Sequence, residues 1–253
     1  MAAIAKIGRV INPALSAGYI FFLPGMQGTS EATVLDRSGL GNNLAAGSAQ
    51  SAAELSNTVA GRFSSLASAN KHPAVAASST ALGAWVWGAA EKNSLFFSTR
   101  FKVTLAAQPL LGMAVTPGWK CNVAVDGSMT MSVYDDASHS VFPGAAAGSI
   151  SDGVETTLGI FFDGVANTVQ IYIGGVLKST VQSLATLTGN VGAAKAFTFG
   201  EYLPGGTGVA ASFCGAHLLR APSSAGQFLY PEQLAKRLHW SPITPVAPSE
   251  WLL

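Results

Sequence analysis

Bond-making and bond-breaking chemistry needs particular side chains brought together, and the carboxylates are the first to examine. Glycoside hydrolysis uses two carboxyl groups, about 5–5.5 Å apart in retaining enzymes and further apart in inverting ones. Glu31, Glu54, Glu91, Glu155, Glu201, Glu232 and Glu250 stand isolated from one another along the 253-residue chain. Asp135 and Asp136 are adjacent, so on a strand they would face opposite sides. His72, His139, His217 and His239 are scattered, and no His-x-x-x-His or Cys-x-x-Cys spacing offers zinc a site. The one local cluster of ligand-capable groups, Asp135, Asp136 and His139, reads as a solvated turn after a strand. Gly205-Gly206-Thr207-Gly208 lacks the Lys-Ser/Thr and the helix that a phosphate loop requires. The expectation is a protein without a catalytic site.

Aromatic faces stack on sugar rings. Trp85 and Trp87 lie two residues apart, so a strand would direct both to one face. Such a pair serves either as a glycan-stacking platform or as two core residues under a sheet. Trp119 and Trp240 read as structural. Cys121 and Cys214 each sit in an apolar run and read as buried free thiols. A disulfide between them would need adjacent strands of suitable geometry.

The elements that must position these groups are strands. Trp119 to Val125 and Ser128 to Tyr134 flank Asp126-Gly127, which predicts a hairpin with a type I′ turn. Met129, Met131 and Val133 alternate with Ser128, Thr130 and Ser132, giving one core face and one solvent face. A second series predicts a three-strand meander: Thr157 to Phe162, Thr168 to Ile173 after a loop at 163–167, and Val176 to Val181 after Gly174-Gly175. Further strands are predicted at Leu95 to Val103, Ala196 to Gly200 and Ala211 to Arg220, with Gly18 to Leu23 pairing with one of the last. The Ala- and Ser-rich stretch from Ala45 to Ala84 reads as loops and short edge strands. Helical periodicity is convincing once, over Pro231 to Leu238.

This pattern predicts an all-β protein with one short C-terminal helix. An N-terminal arm (1–14) precedes a sandwich domain (15–240), and a Pro-rich tail (241–253) ends in Trp251, Leu252 and Leu253. That apolar terminus suits docking, onto its own domain or onto a neighbouring subunit. Charged residues are only 11% of the chain, so Ala, Ser, Thr, Gly and Asn must cover much of its surface. Such a surface suits a component of a larger assembly, or one facing sugars. The net charge of +1 gives no electrostatic footprint for nucleic acid or an anionic membrane. Pro13 and Gly18 interrupt the apolar run from Val10 to Gly28, which reads as a buried first strand rather than a signal peptide or a membrane span.

The order of these features resembles the laminin-G-like group of concanavalin A-like domains. The apolar strand Tyr19-Ile20-Phe21-Phe22-Leu23 precedes Asp36-Arg37-Ser38-Gly39-Leu40-Gly41-Asn42, which is similar to that family's early loop. Leu158 to Gly164 and Val169 to Leu177 resemble its strand, Asp-Gly turn and Gly-containing hairpin, and Phe197-Thr198-Phe199-Gly200 resembles its closing segment. The resemblance covers roughly residues 15–240 and implies an antiparallel jelly-roll β-sandwich. Retaining hydrolases of this fold carry a Glu-x-Asp-x-x-Glu run, which is missing here. No cofactor is expected apart from calcium, for which the resemblance points to Asp36 with Asn42, or Asp163 with Asn167. Both pairs are also ordinary turn formers.

Composition and resemblance together lead to one main functional expectation. It is a non-enzymatic, oligomeric structural protein of a large assembly, namely a bacteriophage virion component serving as capsid decoration or as a tail or fibre protein. The alternative is a glycan-binding module or adhesin, placed outside the cell or on a bacterial surface and binding cell-surface glycan. A polysaccharide hydrolase ranks third.

Overall fold

The computed structural model describes residues 19–23, 32–56, 62–76, 94–113, 117–179, 182–191, 196–201 and 207–221. In chain order the strands begin with β1 (Tyr19–Leu23), β2 (Thr33–Val34), β3 (Leu44–Ala45), β4 (Phe63–Ser65), β5 (Ala74–Val75) and β6 (Ser94–Val103). They continue with β7 (Gln108–Met113), β8 (Gly118–Val123), β9 (Met129–Tyr134), β10 (Ser140–Val141), β11 (Gly144–Ala145) and β12 (Thr156–Asp163). The last are β13 (Thr168–Ile173), β14 (Val176–Leu177), β15 (Gln182–Ser183), β16 (Phe197–Phe199) and β17 (Ala211–Ala221). A single-turn helix, α1 (Ala52–Leu55), lies between β3 and β4 and starts with a capping box of Ser51 and Glu54.

The strands form two antiparallel sheets. The first runs β1-β17-β6-β12-β13-β14, with β4 also on β17 and β15 also on β13. The second runs β10-β9-β8-β7-β16-β5-β3-β2, with β11 also on β9. The predicted pairing of the N-terminal strand with a late one is β1 on β17. The Ala/Ser-rich stretch is not a separate unit, because β3, β4 and β5 are built into the two sheets. The helix predicted at 231–238 and the tail from 241 lie outside the described residues.

The core fills the space between the sheets and is rich in aromatics. Phe197 of the second sheet is its hub, with ring centroids 5.5 Å from Phe21, 5.2 Å from Phe97 and 5.5 Å from Trp119. Burying each such side chain contributes about 1.5–3 kcal/mol. Part of the first sheet is also closed to solvent on its outer face. Leu219, Phe96 and Phe161 lie side by side across β17, β6 and β12, and all three are buried although none belongs to the core between the sheets. Strands buried on both faces appear in sequence as continuous apolar runs, as Leu95-Phe96-Phe97 does.

Two turns differ from expectation in an instructive way. At 124–128 only Gly127 takes positive φ (73°), and the Gly127 N–H donates to the Ala124 carbonyl at 3.0 Å. The loop is therefore a turn on Val125-Asp126 closed by a left-handed glycine, not a two-residue type I′ turn. It is packed against 148–150, where the Ile150 N–H reaches the Gly127 carbonyl at 2.9 Å. Gly174 and Gly175, by contrast, both take positive φ (61° and 76°) and make the tight turn from β13 into β14. The strand predicted from Val176 to Val181 ends at Leu177. The Ser179 hydroxyl oxygen then accepts the Ile171 N–H at 2.9 Å in place of a ladder carbonyl.

Candidate functional site

The outer face of the second sheet carries an open groove of about 640 Å³. Alternation places it there: Cys121 and Val123 of β8 enter the core, which turns Lys120 and Asn122 outward. Thr130 on β9 stands opposite Asn122, and Gln108 and Pro109 come from the bulged start of β7. Glu201 and Thr207 complete the groove from either side of the loop that joins β16 to β17.

Two glycines bring that loop into place. Gly200 sits at φ 86°, and a Cβ there would strike the Ser65 side chain and come within 3.1 Å of His72 Nδ1. Gly208 packs so tightly on the Gly200 carbonyl that a Cβ would collide with it. The Val209 N–H then donates to the Gly200 carbonyl at 3.0 Å. The resulting wall offers two amides, a carboxylate, an ammonium and two hydroxyls, groups suited to hydrogen-bonding the hydroxyls of a polyol. Among the described lining residues Glu201 is the sole carboxylate, whereas glycoside hydrolysis requires a pair.

The sequence-derived candidates are distributed differently. Trp85, Trp87, Trp251, Leu252 and Leu253 lie outside the described residues. Asp36 and Asn42 lie together in the loop between β2 and β3, where the Asn42 and Ser38 N–H groups both donate to the Asp36 carboxylate at 2.9 Å. Asp163 and Asn167 flank the β12–β13 loop, and Asp163 Oδ1 accepts from the N–H groups of Val165 (2.9 Å) and Ala166 (2.8 Å). The two alternative pairs thus lie in two separate loops. A calcium ion at either would compete with these donors for the same oxygens.

The Asp135 cluster departs most from its reading as a solvated turn. Asp135 is fully buried. Its Oδ1 accepts from the N–H groups of Ala137 (3.0 Å) and His139 (2.7 Å), and its Oδ2 from Thr188 (2.9 Å) and Gly189 (2.8 Å). Asp136, beside it, binds the N–H and the side-chain amide of Asn190. The pair fastens the β9–β10 turn to the distant loop 188–190. Nothing local in the sequence announces this, because the donors that make the link, at Thr188, Gly189 and Asn190, lie far along the chain.

Two face-to-face antiparallel sheets with this strand order define a jelly-roll β-sandwich. The receptor binding domain of botulinum neurotoxin D is similar to it, with a TM-score of 0.66 and 15% identity over 90% of this chain and 54% of that one. The binding domain of Paraclostridial Mosquitocidal Protein 1 gives 0.64 and 14% over 88% of this chain and 52% of that one. A botulinum neurotoxin serotype D ligand binding domain in complex with N-acetylneuraminic acid gives 0.62 and 16% over 88% and 51%. This chain therefore spans about half the length of these structures, and at such identity the likeness establishes fold. No protein-family model matches the sequence, and a comparison with curated proteins finds no match.

Proposed function

We propose that this domain is a non-catalytic glycan-binding module whose contact surface is the groove of Gln108, Lys120, Asn122, Thr130, Glu201 and Thr207. The groove carries the reading: it is open, borne on a sheet, and sets the polar groups of Gln108, Asn122 and Thr130 beside the apolar Ala107, Pro109 and Ala124, the mixture with which a binding surface meets both the hydroxyls and the apolar faces of a sugar. The fold supports it, since the similar structures are described as receptor- or ligand-binding domains and one holds a sialic acid. This reading displaces the virion scaffold as the main functional assignment. A virion or bacterial-surface setting is a proposal resting on the low charge content and the apolar tail, and a surface-displayed adhesin would satisfy both.

Glycan-array screening of the purified protein, followed by calorimetric titration of any ligand found, tests the assignment. Binding should fall about tenfold or more in an Asn122→Ala, Gln108→Ala double variant, as when hydrogen bonds to a ligand are deleted. Silence across the array overturns the glycan assignment. Full binding by the double variant would move the site elsewhere.

A further inference from the structure

A second depression, of about 450 Å³, lies at one end of the first sheet and has a different chemistry. Cross-strand register places Lys102 of β6 opposite Ser212 of β17, and Ser212 opposite Ser64 of β4. All three point away from the core, because their neighbours Phe101, Phe213 and Phe63 fill it. Arg62 joins this row and its guanidinium donates to the Ser212 hydroxyl oxygen at 3.4 Å. Arg100, one outward position along β6, pairs with Glu155 at 2.9 Å, and the other oxygen of Glu155 pairs with Arg62. One carboxylate thus serves two guanidiniums. Lys102 is exposed, and no described carboxylate lies within ion-pairing distance of it. Asp152, whose neighbour Gly153 lies against the Lys102 side chain, turns its Oδ1 to the Leu105 N–H at 2.7 Å.

In a chain whose net charge is only +1, this end of the sheet gathers three cations around one carboxylate. We propose that the depression is a binding site for the anionic group, carboxylate or sulfate, of an acidic saccharide. Lys102 supplies the charge, Arg62 is pre-oriented by Glu155, and hydroxyls of Ser64, Ser212 and Thr104 line the site for the sugar. The guanidinium that Glu155 holds in place loses little side-chain freedom on binding, and the exposed ammonium is the group whose charge the ligand neutralises. The inference rests on the glycan-binding reading but names a different surface and a narrower ligand class.

Calorimetric titration of the full chain with 3′-sialyllactose, a sulfated disaccharide, lactose and sodium sulfate tests it, using wild type, Lys102→Glu, Lys102→Arg and the groove double variant. The expected result is binding of the acidic sugars that weakens as salt rises, falls about tenfold or more in Lys102→Glu and returns in Lys102→Arg. Retention of that binding in the groove variant also supports the site. Acidic-sugar binding unchanged in Lys102→Glu overturns the site while leaving the glycan module standing. Equal affinity for lactose overturns the choice of ligand class. Binding of sulfate but of no sugar, or silence throughout, overturns the saccharide site, while the glycan module stands or falls with the array.

Discussion

Asp135 accepts the N–H of Gly189 at 2.8 Å across 54 residues of chain, and this bond fixes the end of β9 to the loop after β15. Four backbone N–H groups converge on that single buried carboxylate. Asp135→Ala would take this acceptor from all four, and each N–H that stays buried without a partner costs about 1–3 kcal/mol. Asp135→Asn keeps one acceptor oxygen and should lose less. Urea denaturation of the two variants, monitored by tryptophan fluorescence, should rank them in that order.

The same cluster makes stability depend on pH. Burial opposes ionisation of Asp135, but the N–H groups of Gly189 and His139 and the His139 ring outweigh it and hold the carboxyl below its usual range. A depressed folded-state pKa stabilises the fold at every pH above the unfolded value of about 3.9 and loses that contribution as pH falls through the folded value. Wild type should therefore lose stability on acidification below about pH 4, and Asp135→Asn should lose less over the same interval. Thermal melts of both proteins between about pH 2 and 6 would expose the difference; parallel curves would show that other carboxylates dominate.

Gly200 links the fold to the groove. Its φ of 86° suits glycine, and an added methyl would meet both Ser65 and His72. Gly200→Ala should cost at least about 1–2 kcal/mol from the left-handed backbone alone. Since Glu201 follows directly and lines the groove, the variant should also weaken groove-dependent glycan binding more than the stability loss explains. Calorimetry well below the melting temperature separates the two effects.

How far the sequence revealed this arrangement depended on the range of the interactions. Gly174-Gly175 was legible because a two-residue turn needs only its own φ angles. Asp126-Gly127 looked equivalent but forms a longer loop, because the Ile150 N–H binds the Gly127 carbonyl from outside the hairpin. Alternation told which side chains of β8 face outward. It could not tell that Lys120 and Asn122 share a groove with Glu201, since that requires knowing that β16 lies beside β7. Asp135 was misread for the same reason: two of its four N–H donors come from the loop at 188–189.

The two cysteines should differ sharply in reactivity. Cys121 points into the core from β8, while Cys214 lies on the outward side of β17 opposite Arg100, so β17 stands between the two thiols. Burial pushes the Cys121 thiol well above its ordinary pKa, which suppresses the nucleophilic thiolate, whereas Cys214 is partly exposed. A thiol-reactive maleimide should label Cys214 in the native protein and reach Cys121 only after unfolding. Mass spectrometry of the peptides would show one adduct under native conditions and two in denaturant. Native labelling of Cys121 at a comparable rate would mean that β8 opens locally, and an unreactive pair that denaturant alone does not release would point to a disulfide that this arrangement of sheets does not accommodate.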